Sequence, residues 1–163
     1  MNGAEHVYSN EQMPSLSRPW LVPLCLAAAG LLLYSTVLEL GPRLDDHWIL
    51  ERLADGTFWE RSRPPRRALA NVTFVLSHRL HGTDPLGYHL FNIACHILAA
   101  VGVWRLARVL LRGPRAGPAA ALAGAVFLCH PLATQAVTYM CQRYSCLAVA
   151  LAVWALVAYR PAR

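Results

Sequence analysis

The sequence predicts an all-α integral membrane protein with about four transmembrane helices and a long external loop that carries an amphipathic surface helix. Three observations lead to this fold class. Hydrophobic residues make up 56% of the chain, and the mean hydropathy is +0.34. Charged residues make up 15%, compared with roughly 25% in a typical soluble domain. The apolar residues form long runs, and a helix of about 20 apolar residues crosses the ~30 Å hydrocarbon core of a bilayer.

Four apolar runs are predicted to form a membrane module over residues 19–163, after a polar cytoplasmic tail over residues 1–18. The predicted spans cover residues 21–40, 86–111, 119–131 and 136–159. Trp20 stands at the entry of the first run, and tryptophan is common at membrane interfaces. Two Gly-Pro pairs form a short turn between the second and third runs, and His130-Pro131 ends or kinks the third.

The external loop over residues 41–85 contains an acidic and aromatic part, a basic part and a predicted helix. The helix is predicted over Ala68–Leu80, because apolar side chains recur there at spacings of three and four residues. These side chains are Leu69, Val72, Leu76 and Leu80. A basic amphipathic helix of this kind lies along a membrane surface. A helix packed against protein under the loop is the alternative, and the sequence favours neither.

The arginine distribution predicts which ends of the spans are cytoplasmic. Arg105, Arg108, Arg112 and Arg115 cluster around the turn between the second and third spans. Dense positive charge next to span ends is typical of the cytoplasmic side. Because four spans alternate sides, both termini are expected in the cytoplasm, and the 41–85 loop is expected outside together with the His130–Tyr144 segment.

Charge also narrows the classes of partner. From Pro85 to Arg163 the chain has seven arginines and neither Asp nor Glu. Such a half suits contact with the anionic headgroups of membrane lipids or with other phosphates. Nucleic acid is not expected as a partner, because most of this half is predicted to be apolar helix.

Two adjacent carboxylates, Asp45 and Asp46, follow the first predicted span and are the first candidate for chemistry. One of them could act as a general base that abstracts a proton from an acceptor hydroxyl. The pair could instead hold a divalent cation through its oxygens. The third interpretation is a solvated acidic loop that caps a short helix at Trp48–Ala54.

A second polar cluster is predicted on the same side of the membrane and includes His130, Gln135, Tyr139 and Arg143. A polar stripe at the mouth of a transmembrane helix usually faces protein or a water-filled cavity. Arg143 has no acidic residue in its own half of the chain, so it is expected either to pair with Asp45 or Asp46 or to bind a phosphate.

Three polar residues, His89, Asn92 and His96, lie on one face of the second predicted span. Polar side chains at this spacing suit hydrogen bonds between helices, which is the favoured interpretation. Their spacing also suits metal ligands, which is the alternative.

The order of these motifs resembles the N-terminal part of membrane proteins that join a GT-C type glycosyltransferase core to tetratricopeptide repeats, relatives of the protein O-mannosyltransferases. The residues that carry the resemblance are Leu44-Asp45-Asp46-His47, Gly87-Tyr88-His89-Leu90-Phe91-Asn92, and the segment from His130-Pro131 to Gln142-Arg143. The resemblance covers roughly Leu21–Tyr159, which is nearly the whole chain.

The resemblance implies that a sugar passes from a polyprenyl-phosphate donor to an acceptor on the non-cytoplasmic face. It places Asp45 and Asp46 at the acidic motif of the active site, with a narrow preference for Asp46. From charge and side, His130, Gln135, Tyr139 and Arg143 are expected to line the donor phosphate or its cavity. Since the family core has more helices than four, a second chain that supplies the remaining helices and repeats is an expected partner.

Two other classes of function compete with this one. A non-catalytic four-helix membrane scaffold or accessory subunit would explain the small number of spans. A transporter fragment is less favoured, because proton relays generally use intramembrane carboxylates and the later spans contain none.

Overall fold

A computed structural model describes residues 19–61 and 67–159, and within those ranges the chain is helical with no β-strand. The predicted tail over residues 1–18, the basic residues 62–66 and the terminal residues 160–163 lie outside the described residues. The α-helices are α1 (Leu21–Leu33), α2 (Asp45–Ala54), α3 (Phe58–Arg61), α4 (Ala68–His81), α5 (Pro85–Leu110), α6 (Ala116–Cys129), α7 (Thr134–Thr138) and α8 (Arg143–Ala158). Short 3-10 helices occupy Ser35–Glu39, Pro131–Ala133 and Met140–Gln142.

Two helical segments in the described part of the chain are long and apolar enough to cross a membrane. They are α5, with 26 residues, and the 19-residue segment Met140–Ala158 that contains α8. A third candidate is the pair formed by α6 and the segment Pro131–Thr138, which is bent by 48° at the predicted His130-Pro131 break. The structure therefore supports two or three candidate spans, where the sequence predicted four.

The first predicted span, residues 21–40, is not one long α-helix. Its α-helical part, α1, has 13 residues and reaches about 20 Å at 1.5 Å per residue. The chain then turns at Tyr34 into the 3-10 helix Ser35–Glu39. At that turn the Tyr34 hydroxyl donates a hydrogen bond to the Leu128 carbonyl oxygen at 2.9 Å, so the end of α1 is tied to the end of α6.

Helix α5 is the centre of the packing, and both α6 and α8 pack along it while α1 covers α5 and α6. The core between α1, α5 and α6 is built from Leu26, Ala100, Trp104, Ala120 and Leu128. At Gly124 a β-carbon would lie 3.1 Å from the Ala100 carbonyl oxygen, so glycine lets the α5 and α6 backbones approach closely.

The segment predicted as a long loop folds into helices α2, α3 and α4, which we term the helical cap. Its core consists of Ile49, Leu50, Leu53, Phe58, Phe74, Tyr88 and Met140. Because Tyr88 belongs to α5 and Met140 precedes α8, this core joins the cap to one end of the helix bundle. The cap is therefore an ordered part of the fold.

Helix α4 confirms the predicted helix and shows how its two faces are used. The predicted apolar stripe of Leu69, Val72, Leu76 and Leu80 points outward, with 51–69% of each side chain exposed. The opposite face, which includes Phe74 and Ser77, is buried against the rest of the protein. The helix therefore packs on protein through one face and leaves its leucine-rich face uncovered.

The predicted fourth span, residues 136–159, is broken near its start. Helix α7 ends at Thr138, Tyr139 is extended, and α8 begins at Arg143. The expected stripe of polar side chains on one continuous helix is therefore wrong. The physical reason is that side chains replace the helical hydrogen bonds: Asn92 Nδ2 donates to the Tyr139 carbonyl at 2.9 Å, and an Asp46 oxygen accepts from the Cys141 N–H at 2.8 Å.

Candidate functional site

The two adjacent aspartates begin α2 and have opposite environments. Consecutive residues on a helix point about 100° apart, so their side chains diverge. Asp46 is fully buried, and its two carboxylate oxygens accept hydrogen bonds from the N–H groups of Cys141 at 2.8 Å and Arg43 at 3.1 Å. Asp45 is exposed and lines a cavity. Asp46 therefore fastens α2 to the start of α8, and Asp45 presents a carboxylate to solvent.

The backbone just before these aspartates is strained. Leu44 has φ of +47° and ψ of −117°, a conformation that residues with a β-carbon rarely adopt. Such a residue costs about 1–3 kcal/mol and persists where the surroundings hold it. The hydrogen bond from the Arg43 N–H to Asp46 closes this turn and supplies part of that restraint.

The cavity beside Asp45 has a volume of about 600 Å³ and lies where α2, the start of α4 and the start of α8 meet. We term it the Asp45 cavity. Its polar lining consists of Asp45, Arg67, Gln142, Tyr144 and Ser145, and its apolar lining includes Trp48 and Ile49. A carboxylate and a guanidinium in one cavity can hold a proton acceptor and an anion-binding group against the same ligand.

Arg67 is a charged cavity residue that was not among the predicted site residues. Its guanidinium lies 4.8 Å from the centre of the Tyr144 ring, within the range of a cation–π contact. The Tyr144 hydroxyl in turn donates to Asn71 Oδ1 at 2.8 Å, which fixes that ring. The sequence does show that Arg67 ends a basic run directly before α4. It does not show that the start of α4 lies beside Asp45.

Arg143 is completely buried at the junction of α4, α5 and α8. Its guanidinium donates to four neutral oxygens: Thr73 O and Ser77 Oγ at 2.9 Å each, Tyr88 O at 3.2 Å and Asn92 Oδ1 at 3.3 Å. The guanidinium carbon also lies 4.3 Å from the centre of the Phe74 ring and 4.4 Å from that of Phe91. We term this arrangement the Arg143 hub.

The expected pairing of Arg143 with Asp45 or Asp46 is not what the structure shows. Among the residues it describes, no carboxylate forms an ion pair with Arg143, because neutral oxygens and aromatic faces surround the guanidinium. Arg143 also lines neither the Asp45 cavity nor the apolar cavity described below. A contact between Arg143 and a donor phosphate stays a prediction. The guanidinium N–H groups that this contact would use already donate to protein oxygens.

The other three predicted site residues are not gathered around Asp45. His130 is exposed, accepts the Leu132 N–H through Nδ1 at 3.2 Å, and lines a separate apolar cavity. Gln135 is exposed and Tyr139 is half-buried, and neither lines either cavity. The break at Tyr139 separates these residues from Gln142, which does line the Asp45 cavity.

The polar face of α5 binds the ends of other helical segments, as the favoured interpretation predicted. His89 Nε2 donates to the Leu40 carbonyl at 3.1 Å, and His96 Nε2 donates to the Leu128 carbonyl at 3.2 Å. With the Asn92 bond to Tyr139, all three side chains satisfy backbone carbonyls at points where a helix stops. Helix ends in a bilayer need such partners, because no water is available there.

The described residues contain no group of three or more His, Cys, Asp or Glu side chains placed to hold a metal ion. At the aspartate pair, both Asp46 oxygens already accept backbone N–H groups. The alternative of a divalent cation shared by Asp45 and Asp46 therefore gains no support from the geometry.

Comparison with known proteins shows distant partial homology to protein O-mannosyl-transferases. The chain is 32% identical over 116 residues to TMTC3 of Mus musculus, with 68% of this chain and 12% of that protein covered. It is 37% identical over 94 residues to Tmtc1 of Drosophila melanogaster, covering 58% of this chain and 11% of that protein. A protein O-mannosyl-transferase of Caenorhabditis elegans is 32% identical over 106 residues, covering 61% of this chain and 15% of that protein.

The chain thus spans a small part of the length of these relatives, 11–15% in the three comparisons. No family model and no solved structure matches it.

Proposed function

We propose, from this partial homology to the protein O-mannosyl-transferases, that the chain acts as the N-terminal module of a membrane glycosyltransferase. The module takes part in transfer of a sugar, of the mannose class by analogy with the relatives, from a polyprenyl-phosphate donor to a hydroxyl acceptor on the non-cytoplasmic face. The observation that carries the proposal is the exposed Asp45 carboxylate in one cavity with the Arg67 guanidinium. The homology implies a lipid-linked sugar donor, and this cavity offers groups suited to both reactants.

The chemistry at the cavity follows from these two side chains. The Asp45 carboxylate accepts the proton of the acceptor hydroxyl as its oxygen attacks carbon 1 of the sugar. The bond between carbon 1 and the phosphate oxygen breaks, and its electron pair leaves with the polyprenyl phosphate. Arg67 donates N–H groups to the phosphate oxygens on which negative charge grows. Asp46 is assigned a positioning role, since its oxygens hold the backbone on both sides of the cavity.

A non-catalytic scaffold or accessory subunit is the second candidate. The buried charged groups favour it, because the side chains of Asp46 and Arg143 are held by hydrogen bonds to protein atoms. A second chain that supplies further helices and repeats is a partner under both proposals. The two proposals differ in the role of Asp45. Its carboxylate is needed for sugar transfer if the chain is a glycosyltransferase module, and it is not needed if the chain is a scaffold.

We also propose that all four apolar segments cross the membrane with both termini in the cytoplasm. The first apolar segment continues past the 13 residues of α1 into the 3-10 helix Ser35–Glu39, whose Val37 packs with Ile93 of α5. Reporter fusions after residue 115 and at the C-terminus are expected to show cytoplasmic activity, and a fusion after Gly56 is expected to report the external side. An external C-terminus would contradict the four-span arrangement.

Helix α4 is proposed to lie on the external membrane surface with its leucine-rich stripe in the lipid. Its C-terminus is joined by the three residues Gly82–Asp84 to candidate span α5, so it must end near the bilayer boundary. Exposed Arg79 lies next to the stripe, where it can reach lipid phosphates. The buried opposite face packs against α5 and α8, so the stripe points away from the bundle.

A fluorescent label on α4 measures how deeply its leucine-rich stripe lies in the bilayer. In a variant whose five native cysteines are replaced by alanine, an NBD label on Leu76→Cys is expected to sit about 5–10 Å below the headgroup level. Spin-labelled lipids should then quench it strongly. The matched control is Glu51→Cys on the exposed side of α2, whose label should be quenched by a water-soluble agent instead. Quenching of the Leu76 label by the water-soluble agent, as at Glu51, would show that α4 does not contact lipid.

A further inference from the structure

Trp48 places a large aromatic side chain beside the Asp45 carboxylate. It lies in α2 three residues after Asp45, and this spacing puts both side chains on the same side of the helix. Both residues line the Asp45 cavity, and Trp48 is 43% exposed. An accessible indole ring therefore lies next to the group that we assign to proton transfer.

Arg52 covers one face of the Trp48 ring. Its guanidinium carbon lies 3.6 Å from the ring centre, and the spacing of four residues on α2 brings the two side chains together. Arg52 does not line the Asp45 cavity, so the face of the indole that it covers lies outside the cavity. The cation–π contact holds the ring in one orientation and leaves the opposite face for a ligand.

The other groups around the ring suit a sugar better than a hydrocarbon chain. They supply a carboxylate, a guanidinium, an amide and hydroxyls, from Asp45, Arg67, Gln142, Tyr144 and Ser145. Sugar hydroxyls form hydrogen bonds with such donors and acceptors, whereas a hydrocarbon chain would bury them without partners. An aromatic wall with a few polar groups that fix orientation is typical of a small-ligand site.

A pyranose ring has polar edges and an apolar face, which is the shape that this cavity can recognise. In mannose the C–H bonds of carbons 3 and 5 are axial and point to the same face. That face presents hydrogens with a small positive charge, and the face of an aromatic ring is negative. The two faces therefore stack, while the hydroxyls at the edge of the sugar remain free for hydrogen bonds.

We infer that Trp48 is the platform on which the sugar ring of the donor stacks, with Arg52 holding the indole in place. This assignment rests on the proposed function and adds the residue that orients the sugar. Side chains three residues apart on a helix have β-carbons about 5–6 Å apart, so a ring held on Trp48 is within reach of Asp45. Correct orientation of the reacting groups is a large part of catalysis.

The test compares the binding of two lipids to the protein in nanodiscs made with its host lipids. One lipid is a polyprenyl phosphate that carries mannose, and the other is the same polyprenyl phosphate without sugar. Trp48→Ala is expected to weaken binding of the mannose-bearing lipid about fivefold, equivalent to about 1 kcal/mol, and to leave binding of the sugar-free lipid unchanged. Trp48→Phe keeps an aromatic face and should recover most of the loss.

Trp59→Ala is the matched control. Trp59 also belongs to the helical cap and is 51% exposed, but it does not line the Asp45 cavity. Its replacement should leave the binding of both lipids unchanged. A loss of the same size in Trp59→Ala and Trp48→Ala would overturn the inference, and so would normal binding of the mannose-bearing lipid by Trp48→Ala.

Equal weakening of both lipids by Trp48→Ala would also overturn the inference. It would show that Trp48 anchors the protein at the membrane interface or contacts the phosphate, and does not bind the sugar. Sugar transfer by Asp45→Asn separates the platform from the proposed function. If Asp45→Asn loses transfer while Trp48→Ala binds both lipids normally, the proposed function stands and the inference about Trp48 fails. If Trp48→Ala loses only the mannose-bearing lipid while Asp45→Asn transfers sugar normally, the platform stands and the role of Asp45 fails.

Discussion

Replacing Asp45 by asparagine is expected to lower sugar transfer about 10²–10⁴-fold, the range typical of a lost general base. The amide keeps the shape of the side chain but cannot accept the proton of the acceptor hydroxyl. Because Asp45 is exposed, the free energy of unfolding should change by no more than about 0.5 kcal/mol. The measurement is transfer of labelled sugar from polyprenyl phosphate to an acceptor peptide in membranes that contain the protein, with unfolding followed in mixed detergent micelles.

The neighbouring variant Asp46→Asn provides the contrast. Its amide N–H₂ would face a backbone N–H of Cys141 or Arg43, so a buried donor would lose its acceptor. The free energy of unfolding is expected to fall by about 1–3 kcal/mol. Transfer should fall in proportion to the folded fraction and recover in part at lower temperature. If Asp45→Asn retains full transfer while Asp46→Asn loses it without loss of stability, the two roles are reversed and the sequence-based preference for Asp46 is correct.

Replacing Arg143 by alanine is expected to reduce the free energy of unfolding by about 3–5 kcal/mol, the range seen when a large buried side chain is removed. The change leaves four oxygens on α4 and α5 without their donor. It also opens a space between the aromatic rings of Phe74 and Phe91. Unfilled space and unpaired buried polar groups each destabilise a folded protein. Unfolding induced by dodecyl sulfate in mixed micelles measures the loss.

Two further variants separate the geometry of Arg143 from its charge. Arg143→Lys keeps the positive charge but lacks the planar fork that reaches oxygens on three sides, so it should recover less than half of the lost stability. Arg112→Ala removes an exposed arginine and should change the free energy of unfolding by less than about 0.5 kcal/mol. If Arg143→Ala lowers the free energy of unfolding no more than Arg112→Ala does, the Arg143 hub does not stabilise the packing of the helical cap. If Arg143→Ala stays folded but no longer binds a polyprenyl phosphate, the prediction that Arg143 contacts a phosphate is correct.

The packing of α4 shows how much of this fold could be predicted from sequence and where prediction stopped. Its helix and its apolar stripe follow from spacing along the chain, and both are present in the structure. Its buried face could not be identified in the same way, because that face is held by Phe74 and by the Ser77 contact with Arg143, a residue 66 positions later. Periodicity within one helix contains no information about a partner so distant in sequence.

The aspartate pair also separates what local sequence predicts from what distant contacts decide. Sequence alone showed that two carboxylates stand together after an apolar run, and the chemistry of a carboxylate suggested a base or a cation ligand. Which aspartate is accessible depends on the direction in which α2 leaves Leu44 and on the Cys141 N–H, 95 residues away, that captures Asp46. Neither the direction of α2 nor the distant partner of Asp46 can be obtained from the order of residues around position 45.

The sequence by itself determined the helical class, the apolar segments, the polar face of α5 and the acidic motif, because these depend on composition and on local spacing. Tertiary structure alone decided that α2, α3 and α4 form a packed cap and that the fourth apolar segment breaks at Tyr139. It also decided that Arg143 binds neutral oxygens and that Arg67 shares a cavity with Asp45. The physical reason is that buried polar groups must find partners wherever the fold brings them. In this chain those partners come from helices that are 50 to 100 residues apart, such as Asn92 and Arg143 or Asp46 and Cys141.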